Sequence, residues 1–352
     1  MAVVAYKCPS CGAPLEFSPE SQKFECAYCG SSYTEEELLA AAPAQSEEQT
    51  LSPEEAEAAG EEEAVLYTCP SCGAQIVTTA TTAATHCLYC HSPVVLEGRL
   101  QGEFHPDRVI PFMFTRKEAE QRFYNWVSKK RYVPKGYFDT GKTDYFMGIY
   151  YPYWVMDCDT TADFQATANR IRVWRDSRNE YTETSVYRIL RQGDLHFEDL
   201  TRCALDGEGR ELADGVMPYR INEAIAFKMP YLSGFRAEVR NLETEQLEPV
   251  FRDDINSYSE SLIRDTVVGY DSVMGATLNT QIQKKDYQYA LLPVWAFVYA
   301  GADGKKYYYS MNGQTGKVAG VLPLDRKKLL RDAILAGLGV AAALLMIGGL
   351  MI

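Results

Sequence analysis

Basic residues are nearly missing from the first quarter of the chain. Residues 1–98 contain only Lys7 and Lys23 against fifteen acidic residues, so they carry the whole formal net charge of −13. Residues 99–352 hold equal numbers of acidic and basic residues. Because proteins bind nucleic acid largely by neutralising phosphates with lysine and arginine, neither part of the chain has the charge expected of a nucleic-acid-binding protein.

The sequence also lacks a secretory signal peptide and any catalytic signature. No apolar stretch led by a basic residue precedes the first cysteine, so we expect no export and no disulfide framework. The chain has only four histidines, and none stands in a pattern that predicts a nucleophile with its base. We therefore expect no enzyme. A catalytic set assembled from distant residues of the β-rich domain stays an alternative.

The composition does provide enough apolar material for a packed core. Hydrophobic residues make up 46% of the chain and charged residues 24%, which excludes wholesale disorder and a multi-pass membrane protein. A length of 352 residues predicts two or three domains.

Eight of the ten cysteines form a duplicated pattern. In each copy two Cys-x-x-Cys pairs are separated by fourteen residues. The copies are Cys8, Cys11, Cys26 and Cys29, and Cys69, Cys72, Cys87 and Cys90. Four thiolates from two such turns give the closed tetrahedral coordination of structural zinc. A unit of about 30 residues cannot bury enough core to fold alone. The sequence therefore predicts two zinc ribbons, residues 1–33 and 65–98, each holding one structural zinc ion.

Three other interpretations of these cysteines stay open. Rubredoxin-type iron also uses four cysteines, and the spacing does not separate it from zinc. A thioredoxin-like dithiol requires a βαβ context that the sequence lacks. His86 or His91, beside the last knuckle, could replace one thiolate, although all four cysteines are present.

The ribbons carry little positive charge, and the segment between them carries none. Residues 34–64 contain eleven glutamates and no basic residue, which predicts a disordered acidic linker. A short helical turn could begin at Glu35, capped by Thr34. The linker could also attract a basic partner. The ribbons themselves are better suited to docking proteins than to binding nucleic acid.

Residues 104–324 are predicted to form a β-rich α+β domain. Thr115 and Glu118 form a capping box that predicts a helix, and a second helix is expected around 253–268. Most other segments have the tyrosine- and valine-rich pattern of antiparallel strands. The segments Tyr151-Pro152-Tyr153-Trp154 and Leu292-Pro293-Val294-Trp295 are similar, and we expect each to start a strand with its proline at the edge. They could be matching strands of two related sheet halves; chance similarity is the alternative.

One motif in this domain is misleading. Residues 136–143 satisfy the phosphate-loop pattern G-x-x-x-x-G-K-[ST]. That loop works only between a buried strand and a helix. A basic segment precedes it here and a strand-like aromatic segment follows, so we expect no nucleotide site.

Residues 333–352 are uncharged and predict one C-terminal transmembrane helix. Twenty residues at about 1.5 Å each reach about 30 Å, the thickness of the hydrocarbon core. Basic residues precede the span, which places residues 1–332 in the cytoplasm and the protein in the cell membrane. Gly337 and Gly339 could form a packing face, so a homo-oligomer is one option.

Together these motifs resemble a bacterial family of TFIIB-type zinc-ribbon-containing membrane proteins, whose members are sometimes labelled primosomal protein N′ (replication factor Y) helicase-like. The resemblance is carried by the duplicated CPSCG knuckles, Ile110-Pro111-Phe112, residues 134–138, Tyr151-Pro152-Tyr153-Trp154 and the terminal span. It implies, for some relatives, a role as membrane anchors for envelope-stress assemblies with phage-shock-protein-A-like or SPFH-type partners. The helicase label implies an ATPase engine, which this sequence lacks.

The sequence therefore favours a non-enzymatic, membrane-anchored adaptor whose zinc ribbons dock cytosolic proteins. A nucleic-acid-binding ribbon protein of replication or transcription is the first alternative. An enzyme in the β-rich domain, for instance acting on a lipid or envelope substrate, is the second.

Overall fold

The computed structural model describes residues 5–41, 65–69, 71–79, 81–87, 92–96, 99–100, 102–134, 146–207, 210–300 and 305–349. Cys90, His91, most of the acidic linker and the phosphate-loop pattern lie outside these residues.

Three very long antiparallel strands form the centre of the fold. They are β9 (Phe146–Arg175), β10 (Glu180–Cys203) and β13 (Ser272–Ala300). The strand β9 lies in the middle, because its Ala162 pairs with Gly193 of β10 on one side and with Thr280 of β13 on the other. Alternate residues of β9 from Met156 to Ala168 are buried, as expected when one face of a sheet is covered.

Shorter strands extend this sheet at its other end. The strand β12 (Arg236–Glu238) pairs in parallel with β9. The strand β8 (Arg108–Val109) pairs in parallel with β13. The remaining members are β6 (Thr82–His86), β7 (Pro93–Val95), β11 (Ile225–Ala226), β14 (Lys306–Asn312) and β15 (Val318–Val321). The order is β11-β8-β13-β9-β12-β6-β7, with β10 on β9 and with β14 and β15 extending from β13.

The two proline-containing segments are direct neighbours in the sheet. Tyr151 pairs with Leu292, so Pro152 and Pro293 lie on either side of one cross-strand pair. The expectation that each proline begins a strand is wrong, since both lie inside long strands. Each proline lies between the ends of two neighbouring strands. On β9, β12 pairs before Pro152 and β10 pairs after it. On β13, β8 pairs before Pro293 and β14 pairs after it. A missing N–H costs little at such a junction.

Two helices cover parts of the sheet. The helix α2 (Arg116–Ser128) begins with the predicted capping box: the amide of Thr115 donates to the Glu118 carboxylate, and the amide of Glu118 donates to the Thr115 hydroxyl. The helix α4 (Thr244–Asp265) begins nine residues before the predicted start. It packs one buried stripe on the long strands, at four-residue spacing: Leu247, Phe251, Ile255, Ser259 and Ile263. A short helix, α3, spans Arg210–Asp214.

The two cysteine-rich units precede this sheet. The first has β1 (Glu16–Ser18), β2 (Lys23–Glu25), β3 (Ser32–Tyr33) and α1 (Glu35–Ala41). In the second, β4 (Val65–Thr68) pairs with β5 (Gln75–Thr78), while β6 and β7 belong to the central sheet. The domain boundaries drawn from the sequence stay predictions.

The C-terminal segment forms a helix, but the prediction that it crosses a membrane is wrong. Among the described residues, no helix is both long and apolar enough to span a bilayer. The first two turns of the helix α5 (Arg326–Gly349) contain five charged residues. The described uncharged part of this helix, residues 333–349, is shorter than the about 20 apolar residues that typically cross the hydrocarbon core. The fold class supported by the structure is therefore α+β with β-rich sheets and cysteine clusters.

The predicted location in the cell membrane, with residues 1–332 in the cytoplasm, depended on that span. It is corrected by the same finding.

Candidate metal centres

The first centre brings four thiols together. Sγ of Cys8 lies 3.6 Å from Sγ of Cys29, and Sγ of Cys11 lies 3.5 Å from Sγ of Cys26. All four sulfurs lie within 4.8 Å of one another. Ligands on a tetrahedral ion with metal–sulfur bonds of about 2.3 Å are about 3.8 Å apart, whereas a disulfide needs about 2.05 Å. The spacing therefore matches a closed four-thiolate metal site.

The backbone shapes the Cys-x-x-Cys turns that begin at Cys8, Cys26 and Cys69 in the same way. The amide of Cys8 donates to the carbonyl of Ala13 at 2.7 Å, and the amide of Gly12 donates to the carbonyl of Cys8 at 2.8 Å. The same two bonds recur with Cys26, Ser31 and Gly30, and with Cys69, Ala74 and Gly73. The three glycines have φ between 72° and 75°, a left-handed conformation that favours glycine over residues with a Cβ. The repeated CPSCG motif predicts this turn because its glycine follows the second cysteine.

The second centre repeats the first as far as it is described. Sγ of Cys72 lies 3.7 Å from Sγ of Cys87, the pair equivalent to Cys11 and Cys26, and Cys69 completes a group within 4.8 Å. The amide of Cys87 donates to the carbonyl of Ser92 at 3.0 Å. The fourth predicted ligand, Cys90, lies outside the described residues. Cys69 and Cys87 are buried while Cys72 is exposed, as in the first centre, where Cys8 and Cys26 are buried.

Local hydrogen bonds and burial shift the pKa values of two thiols in the first centre in opposite directions. The hydroxyl and then the backbone amide of Ser31 lower the pKa of Cys29 to about 6. For Cys11 a backbone hydrogen bond from Ala13 lowers the pKa, but desolvation and the neighbouring thiols outweigh it and raise the pKa to about 12. Since only thiolates bind the metal, loading this site displaces protons.

Long-range contacts that the sequence does not predict fix the first centre to the central domain. The hydroxyl of Ser233 donates to the carbonyl of Leu15 at 2.5 Å, and the amide of Phe17 donates to the carbonyl of Ser233 at 3.1 Å. The Tyr231 ring contacts that of Phe17, with centroids 5.2 Å apart, and its hydroxyl donates to Glu35 at 2.9 Å. These partners are about 200 residues apart in sequence, and the one local signal is Gly234, where a Cβ would come within 3.2 Å of Glu16.

The acidic residues around Cys158 do not form a thiol or metal site. Burial raises the pKa of Cys158 first, and its acidic neighbours add to that effect. Asp159 lies on the open face of the sheet, where its carboxylate is 2.6 Å from Nδ1 of His196. Among the described residues, three or more histidine, cysteine or acidic ligands come together only in the two cysteine groups.

Comparison with known proteins gives one extensive match. The chain is 33% identical over 353 residues to the uncharacterised protein YdjG of Bacillus subtilis (strain 168), and the alignment covers 99% of both chains. No family model matches the chain, and no solved structure is significantly similar to it.

Proposed function

The chain belongs to the family of the Bacillus subtilis protein YdjG, and we propose that it is a zinc-ribbon docking protein. Its two metal centres are structural, and they hold surfaces that bind protein partners. The observation that carries this proposal is the closed set of four thiols with an exposed aromatic residue beside it. That residue, Tyr28, is 82% exposed and lies between Cys26 and Cys29 in the sequence.

Zinc is the metal that best fits the donor set. Four thiolates at tetrahedral spacing, in tight turns with backbone hydrogen bonds, are typical of structural zinc. Bound zinc would supply the folding free energy that the small ribbon lacks. Because all four positions are filled by protein sulfur, the first centre leaves no position for water or substrate. Iron stays the alternative, and its thiolate charge-transfer absorbance would reveal it.

The position of the first ribbon determines which side can bind a partner. One side, with Phe17 and Phe24, is buried against the central domain. The other side presents Tyr28 together with the exposed thiols of Cys11 and Cys29. Exposed aromatic residues are enriched at protein interfaces, and the scarcity of basic residues in this ribbon disfavours nucleic acid. Rigid attachment also means that a partner bound at Tyr28 is held in one orientation relative to the sheet.

The docking proposal is tested by affinity purification of full-length protein carrying Tyr28→Ala, with mass spectrometry of the bound proteins. The family resemblance directs attention to phage-shock-protein-A-like and SPFH-type proteins as first candidates. We expect Tyr28→Ala to reduce recovery of at least one specific partner about tenfold or more, the loss expected of a hot-spot aromatic residue.

A matched control is Tyr258→Ala, which removes a 48% exposed tyrosine on α4 and should leave recovery unchanged. If both variants retain every partner of the unaltered protein, the Tyr28 surface is not the docking site.

A further inference from the structure

The long strand β13 has an open edge over half of its length. It pairs with β9 along residues 272–297, but on its other side β8 begins only at Ala290 and β14 only at Val294. Within the part of the chain that the structure describes, no strand pairs with the outer edge of residues 272–287. Such an edge presents unpaired backbone amides and carbonyls, which can bind another extended segment.

Six residues of this edge form a regular stretch. The register with β9 is irregular between Met274 and Thr277 and again between Ile282 and Lys284. Between these two irregularities, residues 277–282 are uncharged. Edge strands are usually protected by charged side chains, and here charge begins only after the stretch, at Lys284.

The helix α4 runs beside this edge and closes one side of a groove. The groove has a volume of about 400 Å³ and is lined by residues 280–285 of the strand and by Glu248 and Arg252 of the helix. The Thr280 hydroxyl lies 2.5 Å from Oδ1 of Asn256 and holds the strand against the helix. A groove between an edge strand and a helix is the geometry in which peptides bind by strand addition.

The charged residues of the groove are mainly positive. Arg252, Lys284 and Lys285 stand against one carboxylate, Glu248, which lies 3.0 Å from Nζ of Lys285 and 3.5 Å from Arg252. The side chain of Arg252 is 59% exposed and that of Lys285 is 42% exposed, so both can reach a ligand. The groove therefore has an excess of two positive charges in a chain whose net charge is −13.

We propose that an extended acidic peptide of a partner protein binds here by adding a strand to residues 277–282. Its backbone pairs with the open edge, and its carboxylates on the helix side face Arg252 and Lys285. This site is separate from the ribbon surface of the proposed function and does not depend on it.

The test uses the full-length, metal-loaded protein and a fluorescein-labelled eight-residue peptide of alternating glutamate and valine. Fluorescence anisotropy at low salt measures the affinity, and hydrogen–deuterium exchange locates the site. We expect slowed exchange within residues 276–287 when the peptide is bound. The double variant Lys284→Glu/Lys285→Glu should bind the peptide at least about tenfold more weakly. Its glutamates repel the carboxylates of the peptide, and this repulsion is least screened at low ionic strength.

Two controls separate this site from general charge attraction. The variant Lys129→Glu/Lys130→Glu makes the same charge change at two exposed, consecutive lysines at the end of α2 and should bind like the unaltered protein. A peptide with lysine in place of glutamate should not bind. Circular dichroism melting checks that the variants are folded. The exchange measurement is made on the unaltered protein, so it locates the site even if a variant does not fold.

Three results would overturn the proposal. The first is equal loss of affinity in both double variants. The second is protection confined to residues outside 276–287. The third is protection of the β13 edge without peptide, rising with protein concentration together with a dimer in sedimentation, which would make a second copy of this chain the occupant.

Discussion

At the scale of single residues, Gly148 leaves room for two stacked aromatic rings in the core. The Phe112 and Phe235 rings stack with centroids 4.3 Å apart, and a Cβ on Gly148 would lie 2.6 Å from Phe235 and 3.0 Å from Phe112. Both rings are buried, so neither can move freely.

We expect Gly148→Ala to lower the free energy of unfolding by about 1–3 kcal/mol, the usual cost of overpacking a core. The control is Gly193→Ala on β10, where a Cβ would have no atom within 4 Å; it should change stability by less than about 1 kcal/mol. Urea denaturation of the metal-loaded protein measures both. Equal effects at the two sites would show that the ring stack adapts to a methyl group.

His196 gives the surface of the long strands a pH dependence. Its Nδ1 lies 2.6 Å from Asp159 and its Nε2 lies 3.2 Å from Glu198, and these carboxylates raise the pKa of His196 above 6.5. Because the folded-state pKa exceeds the unfolded value, the ion pairs stabilise the fold fully below about pH 6.5. That stabilisation is lost as the pH rises through the folded-state pKa.

We therefore expect His196→Gln to be less stable than the unaltered protein between about pH 5 and 6.5, with the difference vanishing at higher pH. An NMR titration should show that Asp159→Asn lowers the pKa of His196. The exposed Asp163→Asn, which makes the same charge change on the same strand face, should lower it less. A pKa of His196 that is insensitive to Asp159 would refute the ion pair.

At the scale of secondary-structure elements, α4 covers one face of the long strands. Its buried stripe includes Phe251 and Ile255, which pack against Met156, Cys158 and Phe197 of the sheet. The opposite side of the helix is exposed, and Leu262 there is 50% exposed.

Truncating Phe251 to alanine should cost about 3–5 kcal/mol, as for large aromatic residues removed from a core, and should speed amide exchange in residues 156–168. Leu262→Ala should cost less than about 1 kcal/mol. Denaturation and hydrogen–deuterium exchange measure both changes. If the two variants lose similar stability, α4 is not held on the sheet by this stripe.

The elements also show what sequence patterns can predict. Thr115 and Glu118 predicted the start of α2 because a capping box is a local interaction between residues three apart. The start of α4 was placed too late: Pro249 lies inside the helix although proline usually disfavours helix interiors. The pairing of β9 with β13 could not be predicted, because it joins residues more than 100 positions apart in the sequence and depends on the whole fold.

The same distinction applies to the metal centres. The spacing of Cys8, Cys11, Cys26 and Cys29 predicted their cluster because each knuckle is local and carries its own glycine. The attachment through Ser233 and Tyr231 was not predicted, because the one local signal is Gly234 and a glycine alone does not identify the ribbon as the partner. The transmembrane prediction depended on the length of an uncharged run in the sequence, whereas no helix of the described residues is both long and apolar enough to span a bilayer.

At the scale of the whole molecule, the first metal centre and the central domain form one body. Phe17 and Phe24 belong to the same buried cluster as Tyr231, Phe235 and Trp295. Loss of the metal should therefore disturb the central domain as well as the ribbon. The net charge is distributed unevenly along the chain, since the acidic excess belongs to residues 1–98 while residues 99–352 hold equal numbers of acidic and basic residues.

The central claim, two structural zinc centres per chain, is tested most directly by the metal content of the purified full-length protein. Inductively coupled plasma mass spectrometry should find two zinc ions per chain, one in Cys8→Ser and one in Cys69→Ser. Cys158→Ala, which removes a cysteine outside both clusters, should retain two. A stoichiometric iron content with visible absorbance, or about one metal ion or fewer per unaltered chain, would contradict the account.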